Sequence, residues 1–209
     1  VELWLVRHGE STWNSERRFQ GSQDAPLSER GREQAVAVGR ALGRHSFAAL
    51  YTSPLGRARD TAAACADALG LAATPVGDLR EMCLGDWEGS TVETVVERYG
   101  DHYWRWLTGP ADHPPPAGEP VERFQGRVAA AVGELAARHP AGSVLAVTHG
   151  GVIAGLLCRW LALGPNALWR LRIENTSVTR VSLPAGHVCA LNDTRHLAGI
   201  AAPAAATAP

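Results

Sequence analysis

Four short segments carry side chains of the kinds that do chemistry. Each stands just after a strand-like run or at the mouth of a helix-like one. They are Arg7-His8-Gly9-Glu10, Ser53-Pro54-Leu55-Gly56-Arg57-Ala58-Arg59, Leu79-Arg80-Glu81 and Thr148-His149-Gly150-Gly151. Brought together, they would supply two arginines, two histidines and one glutamate. Two histidines and a carboxylate could ligate a metal, but neighbouring arginines would repel a cation. An anion suits the set better. Arginine forks match the oxygens of a phosphoryl group, and a glycine after each histidine lets backbone approach closely. Arg59, two residues beyond Arg57 on a helix, points elsewhere.

The elements that must position these residues alternate between strands and helices. Residues 1–6 read as a buried strand that delivers Arg7 and His8 to the carboxyl end of a sheet, where open α/β sheets bind ligands. Residues 11–26 lack steady periodicity and read as a long loop with a short helix; loops of this length in a compact domain are usually functional. Ser28 is an N-cap for a helix carrying Ala35, Val38 and Leu42 to Gly43. A strand at 47–51 precedes an Ala-rich helix over 55–69, stopped by Gly70. A short strand at 73–76, a loop at 78–89 and a helix at 91–98 follow. Residues 99–120 are the least regular and read as a lid. Its Trp104 and Trp106 either touch substrate or pack the lid on the core. Pro120 opens a helix to about Arg138. The continuous apolar run at 143–147 predicts a central parallel strand ending at Thr148-His149, then an apolar helix over 152–163. Two β-like runs, 171–183 and 187–191, close the domain. The pattern predicts an α/β three-layer α/β/α sandwich with a mostly parallel sheet, one domain over 1–199, and a disordered Ala/Pro tail over 200–209.

Composition excludes several classes. A chain of 209 residues suits one well-buried domain. A net charge of −1 argues against nucleic-acid or membrane partners by bulk electrostatics. All the cationic side chains are arginine. The four cysteines are scattered without zinc spacing, as thiols of a reducing compartment would be. No charged-then-apolar leader opens the sequence and no apolar run is long enough for a bilayer, so a soluble cytoplasmic protein is expected. His45, His102, His113, His139 and His187 read as solvated. The aromatic lid and a last edge strand could support a homodimer.

The four segments, in this order, resemble the histidine phosphatase superfamily, in its phosphoglycerate mutase-like branch. Arg7, His8, Gly9, Ser11, Trp13 and Asn14 are similar to the family's R-H-G-x-S-x-W-N start, and residues 53–62 to its S-P-L-x-R-A-x-x-T-A helix start. Leu79-Arg80-Glu81 with Gly85-Asp86-Trp87-Glu88-Gly89 resembles its acid loop, and Thr148-His149-Gly150-Gly151 its second histidine motif. The resemblance implies roles. His8 would be the nucleophile, forming a phosphohistidine, and must be neutral to attack. Arg7, Arg57 and His149 would clamp the phosphoryl oxygens, with Asn14 adding a hydrogen bond. Glu81 would protonate the leaving alkoxide and then activate water, and a dianionic phosphate beside it favours its protonated form. No metal or other cofactor is implied.

Three features separate a phosphatase from a mutase. The mutases carry a long insertion between the acid loop and the second histidine, an asparagine where this chain has Gly151, and N-E-R-H-Y-G where this chain has Arg80-Glu81-Met82-Cys83-Leu84-Gly85. All three imply a hydrolase acting on a small phosphomonoester. Segments 98–106, 175–177 and 192–197 are similar to metal-independent phosphoserine phosphatases. By that likeness Gln20 and His196, with Ser11 and Gly21, would face the rest of the substrate. Leu84 departs from those enzymes, which carry a histidine there, and residues 148–152 are more typical of broad-specificity, α-ribazole-phosphate and glucosyl-phosphoglycerate phosphatases. Sugar and glycerate phosphates are therefore candidate substrates beside phosphoserine and α-ribazole phosphate. The alternatives are a 2,3-bisphosphoglycerate-dependent phosphoglycerate mutase and a non-catalytic phospho-ligand-binding module.

Overall fold

The first strand, β1 (Glu2–Arg7), turns Leu3 and Leu5 to one face and Trp4 and Val6 to the other, and all four are buried. A strand buried on both faces needs a layer on each side. In a computed structural model that describes residues 1–200, β1 lies inside a six-stranded sheet of order β3-β2-β4-β1-β5-β6. The other strands are β2 (Ala49–Thr52), β3 (Ala73–Pro75), β4 (Ser143–Thr148), β5 (Val178–Ser182) and β6 (His187–Asp193). The first four strands pair in parallel; β5 is antiparallel to β1, and β6 to β5.

A four-residue helix, α1 (Thr12–Ser15), follows the first strand. On the Trp4 side lie α2 (Glu29–Leu42) and α3 (Gly56–Leu69), which pack Val38, Leu42, Ala58, Ala62 and Cys65 against Val6, Leu145 and Val147. In chain order α3 is followed by α4 (Val92–Tyr99) and α5 (Asp101–Thr108), whose Val95, Tyr103 and Trp106 join the core on the Leu5 side. On the Leu5 side, α6 (Val121–Arg138) and α7 (Gly150–Trp160) bring Val128, Val132, Val152 and Leu156 against Leu3, Val144 and Ala146. The architecture is the α/β/α sandwich that the sequence pattern predicts.

The details differ in places. The stretch read as irregular from residue 99 contains α5. Its Tyr103 and Trp106 are spaced for one helical face and are buried in an aromatic cluster with Phe19, Trp87 and Trp169. That burial overrides the weak helix propensity of an aromatic-rich segment. Trp106 thus packs the lid on the core, while Trp104 is exposed. Helix α7 starts and stops earlier than expected, leaving Leu161 and Leu163 exposed. Only Val178–Ser182 of the 171–183 run forms a strand, because 173–177 folds over the end of β1, where Thr176 N–H donates to the Arg7 carbonyl (2.9 Å). His139 hydrogen-bonds Tyr51 Oη (2.9 Å), His102 pairs with the Pro114 carbonyl (2.9 Å) and His45 packs on Trp4, so these three are not simply solvated. The expected Ala/Pro tail lies outside the described residues from 201 on; Ile200 is described and donates to the Leu197 carbonyl (2.9 Å).

Helix α2 meets the Arg7–Glu10 turn at Gly31. A Cβ added at Gly31 would stand 1.9 Å from the Glu10 carbonyl oxygen. The Gly31→Ala variant must push the turn away from the helix, and is expected to lose about 1–3 kcal/mol of stability, measured by urea unfolding.

Candidate active site

Sheet register creates the site. Arg7 pairs with Thr148 across the parallel β1–β4 ladder, so His8 and His149 are the next residues out of adjacent strands. The His8 N–H donates to the Thr148 carbonyl (2.8 Å), and the two imidazole rings stand 5.1 Å apart, edge to face. On the far side of β4, β2 leads through Ser53 into α3, whose first turn carries Arg57. Three neighbouring strand ends thus deliver three of the predicted residues to one place.

His8 is buried, and its Nδ1 donates to the Gly9 carbonyl (2.7 Å). That leaves the Nε2 lone pair free, and Arg57 Nε points at it from 3.3 Å. Burial first, then Arg57 and Arg7, push the His8 pKa well below the ordinary histidine value. The ring is neutral, as a nucleophile must be. The rest of the Arg57 guanidinium is held by backbone: Nη1 donates to the Gln23 carbonyl (2.7 Å) and Nη2 to the Gly21 carbonyl (2.9 Å).

His149 is also buried and also neutral; burial lowers its pKa most, followed by the charge of Arg57, with Arg7 and Arg127 adding to it. Its Nε2 lies 2.7 Å from Ser53 Oγ. Ser53 Oγ also accepts from Leu55 N–H (3.3 Å); when its own hydrogen goes to His149 Nε2, the ring proton sits on Nδ1. That Nδ1 is buried without a partner, and so is Arg7 Nε, while Arg7 Nη1 donates to the Ile173 carbonyl. Buried donors left open in this way are uncommon and costly. Here two of them share a small site with a neutral histidine and the N-terminus of α7, an arrangement suited to an anion.

Glu81 approaches from the opposite loop. Its Oε1 accepts from Met82 N–H (2.9 Å) and its Oε2 from Gly151 N–H (3.0 Å). The contact needs glycine: a Cβ at residue 151 would lie 2.4 Å from Glu81 Oε1. Glu81 is thus tied to the residue that follows the His149-Gly150 pair.

The remaining predicted residues are placed as follows. Asn14 Oδ1 accepts from Ser11 N–H (3.1 Å), an N-cap contact that leaves the amide NH2 of Asn14 to donate elsewhere. Ser11 Oγ caps α1 and donates to Gln20 Oε1 (2.6 Å), so both serve the loop beside the site. Gly21 acts through its carbonyl on Arg57. His196 contacts Thr176 Oγ1 (3.3 Å) and lines a groove with Trp4, Arg44 and Arg180 under α2; it reaches the His8 backbone only through Thr176. Glu10 turns away, accepting from Ser28 Oγ (2.7 Å) and Arg30 (2.8 Å) to tether α2.

Sequence reasoning missed several supports. Asp24 accepts from the N–H groups of Gly56 and Arg57 and stands 3.6 Å from the Arg57 guanidinium. Thr61 Oγ1 accepts from Gly9 N–H (3.0 Å), and Asn175 Nδ2 donates to the His8 carbonyl (3.0 Å). Asn175 and Thr61 carried a signal, each by its place in a segment similar to known phosphatases; Asp24 carried none. Among the described residues no group of three or more His, Cys, Asp or Glu is placed to hold a metal ion.

A strand-end histidine pair with buried arginines on this sandwich defines a phosphoryl-handling class of protein, and comparison with known families agrees. The family model of the histidine phosphatase superfamily (branch 1) matches residues 3–193, and the chain belongs to that superfamily. It is 33% identical over 199 residues to phosphoserine phosphatase 1 of Hydrogenobacter thermophilus (94% of each chain). It is 35% identical over 207 residues to the probable phosphoglycerate mutase GpmB of Yersinia enterocolitica (94% and 95% of the two chains). Among solved structures it resembles the mycobacterial glucosyl-3-phosphoglycerate phosphatase in a complex with VO3, with a TM-score of 0.86, 32% identity and coverage of 92% and 99%.

Two measurements test this geometry. His8 and His149 have folded pKa values below their unfolded ones, so below about pH 6.5 the unfolded chain binds protons that the folded chain does not. Their neutral burial therefore costs stability as pH falls. Relative to wild type, the His8→Gln/His149→Gln double variant should gain up to roughly 2–3 kcal/mol per pH unit over that range, read by denaturant unfolding. Separately, Gly151→Ala should displace Glu81 and lower kcat while the fold, followed by circular dichroism, persists.

Proposed function

We propose that the chain is a metal-independent phosphomonoesterase that works through a phosphohistidine on His8, with Glu81 as general acid and base. The observation that carries this reading is the pair of buried nitrogens without partners, Arg7 Nε and His149 Nδ1, beside a neutral His8 whose Nε2 bears the lone pair. Arg7, Arg57, His149 and the amide of Asn14 hold the phosphoryl oxygens. His8 Nε2 attacks phosphorus as the phosphorus–oxygen bond breaks, and the proton of Glu81 goes to the departing alkoxide. Water then attacks the phosphohistidine and gives its proton to Glu81. The nitrogen–phosphorus bond breaks, its electron pair returns to Nε2, and inorganic phosphate leaves.

Hydrolysis rather than mutase chemistry is supported by Gly151, whose lack of a side chain gives Glu81 its place. The substrate is a small phosphomonoester. Leu84, buried beside the acid loop, favours sugar, glycerate or α-ribazole phosphates over phosphoserine. Four unpaired cysteines fit a cytoplasmic enzyme.

The test is a panel of phosphomonoesters assayed in EDTA, with phosphoserine, sugar phosphates and 3-phosphoglycerate included. Phosphate release that is indifferent to EDTA and abolished in His8→Ala is the expected outcome. Conversion of 3-phosphoglycerate to its isomer without net phosphate release would sink the reading. With p-nitrophenyl phosphate, Glu81→Gln should accumulate protein one phosphoryl group heavier by intact mass, because release of the nitrophenol needs little acid help and dephosphorylation has lost its base.

A further inference from the structure

The loop that carries Glu81 is gripped by one guanidinium lying outside the phosphate cage. Arg127, on α6, donates from Nη1 to the carbonyls of Asp78 (2.8 Å) and Arg80 (2.9 Å), and from Nη2 to the carbonyl of Glu81 itself (3.0 Å). Its Nε and Nη2 also donate to Glu119 Oε1 and Oε2, both at 2.8 Å. An arginine has five N–H donors, and here all five are used. Both side chains are about nine-tenths buried, at 10% and 9% exposure, and the guanidinium lies over the Phe124 ring.

Glu119 completes the grip on the other side of Glu81. Its N–H donates to the Cys83 carbonyl (2.8 Å), and its Oε2 accepts from Cys83 N–H (3.4 Å). Burial alone would push the Glu119 carboxyl up, but the hydrogen bonds and charge of Arg127 hold it below the usual range, so the pair is ionic. The descending arm of the lid is fastened to the same loop, with Asp86 N–H donating to the Pro116 carbonyl (2.9 Å). A buried ion pair kept for stability alone could take any acceptors. This one spends its three remaining donors on the carbonyls of residues 78, 80 and 81, while Glu119 takes residue 83. The Glu81 carboxyl hangs from this backbone, through Met82 N–H and Gly151 N–H.

Resting on the phosphatase reading above, we propose that the Arg127–Glu119 pair is the positioning device for the general acid and base Glu81. Lysine cannot substitute, since it has three donors and no planar fork.

The step that depends on a well-placed acid is protonation of a poor leaving group, and this separates positioning from mere stability. Single-turnover rates are measured for wild type, Arg127→Gln, Arg127→Lys, Glu119→Gln and Glu81→Gln. The substrates are p-nitrophenyl phosphate and the alkyl phosphomonoester of the panel that wild type cleaves fastest. In Arg127→Gln, phosphoryl transfer from the alkyl ester should fall roughly 100-fold, while the p-nitrophenolate burst stays close to wild type. Arg127→Lys should not restore the alkyl rate, and Arg127→Gln added to Glu81→Gln should cost little more than Glu81→Gln alone. If Arg127→Gln fails to fold, Glu119→Gln, which keeps side-chain shape, must show the same leaving-group split. Equal losses with both substrates, or none, in a folded variant overturn the brace while leaving the phosphatase intact. A wild type that releases phosphate from no substrate overturns the functional reading, and the brace with it.

Discussion

The active end of this protein depends on burying guanidinium groups whose short hydrogen bonds go to backbone carbonyls rather than to carboxylates. Arg57 is 1% exposed, yet its short hydrogen bonds go to the carbonyls of Gly21 and Gln23, and Asp24 stands off at 3.6 Å. Arg7 takes the Ile173 carbonyl. Carbonyl dipoles help replace lost hydration without cancelling the charge. Desolvating a cation is expensive, so the backbone that solvates it must be held in place. This gives a physical purpose to two segments without regular structure, the loop after α1 and the segment 171–177, which curl over the strand ends to present oxygens.

The same buried charge sets the protonation of the site. With two cations close by and no bulk water, neither His8 nor His149 can carry a proton charge, and each is left with a defined tautomer by one neighbour, the Gly9 carbonyl or Ser53. In the proposed reaction the nucleophile is therefore made by the field rather than by a dedicated base. In a chain whose cations are all arginine, Arg127 is used in the contrary way. It is paired bidentately with Glu119, and its remaining donors fix backbone. What an arginine does here follows from whether its acceptors carry charge.

This division also explains what could be read from sequence. Arg7, His8, Arg57 and His149 could be singled out because each follows a strand-like run or opens a helix, and Glu81 by the resemblance of its loop to the family's acid loop. The layered fold was legible for the same reason, from continuous apolar strands and amphipathic helices. Asp24, Arg127 and Glu119 were not, because they act through hydrogen bonds to chain far away, with no local period to mark them. Helix α5 was misread because its aromatic face makes sense only against Trp87 and Trp169. Glu10 belongs to the motif by position, but Ser28 and Arg30 take its carboxylate for α2. Local pattern shows where a strand ends, and tertiary contact decides which way the next side chain turns.

In the proposed reaction, the departing alcohol and the incoming water occupy the same apical position on phosphorus, opposite His8 Nε2. One carboxyl can serve both steps only if it addresses that single position throughout, and so it must not swing with the substrate. Rigid support of Glu81 from the backbone at 78–83 and from Gly151 meets that demand. The phosphoryl oxygens are meanwhile held by strand-end groups that are set independently of the lid. In the proposed reaction the cage is fixed by sheet register together with the loop after α1, whose Gly21 and Gln23 carbonyls hold Arg57. A substitution in that loop would therefore move Arg57 itself, and only changes in the lid can alter which alcohol leaves while His8, Arg57 and His149 stay in place.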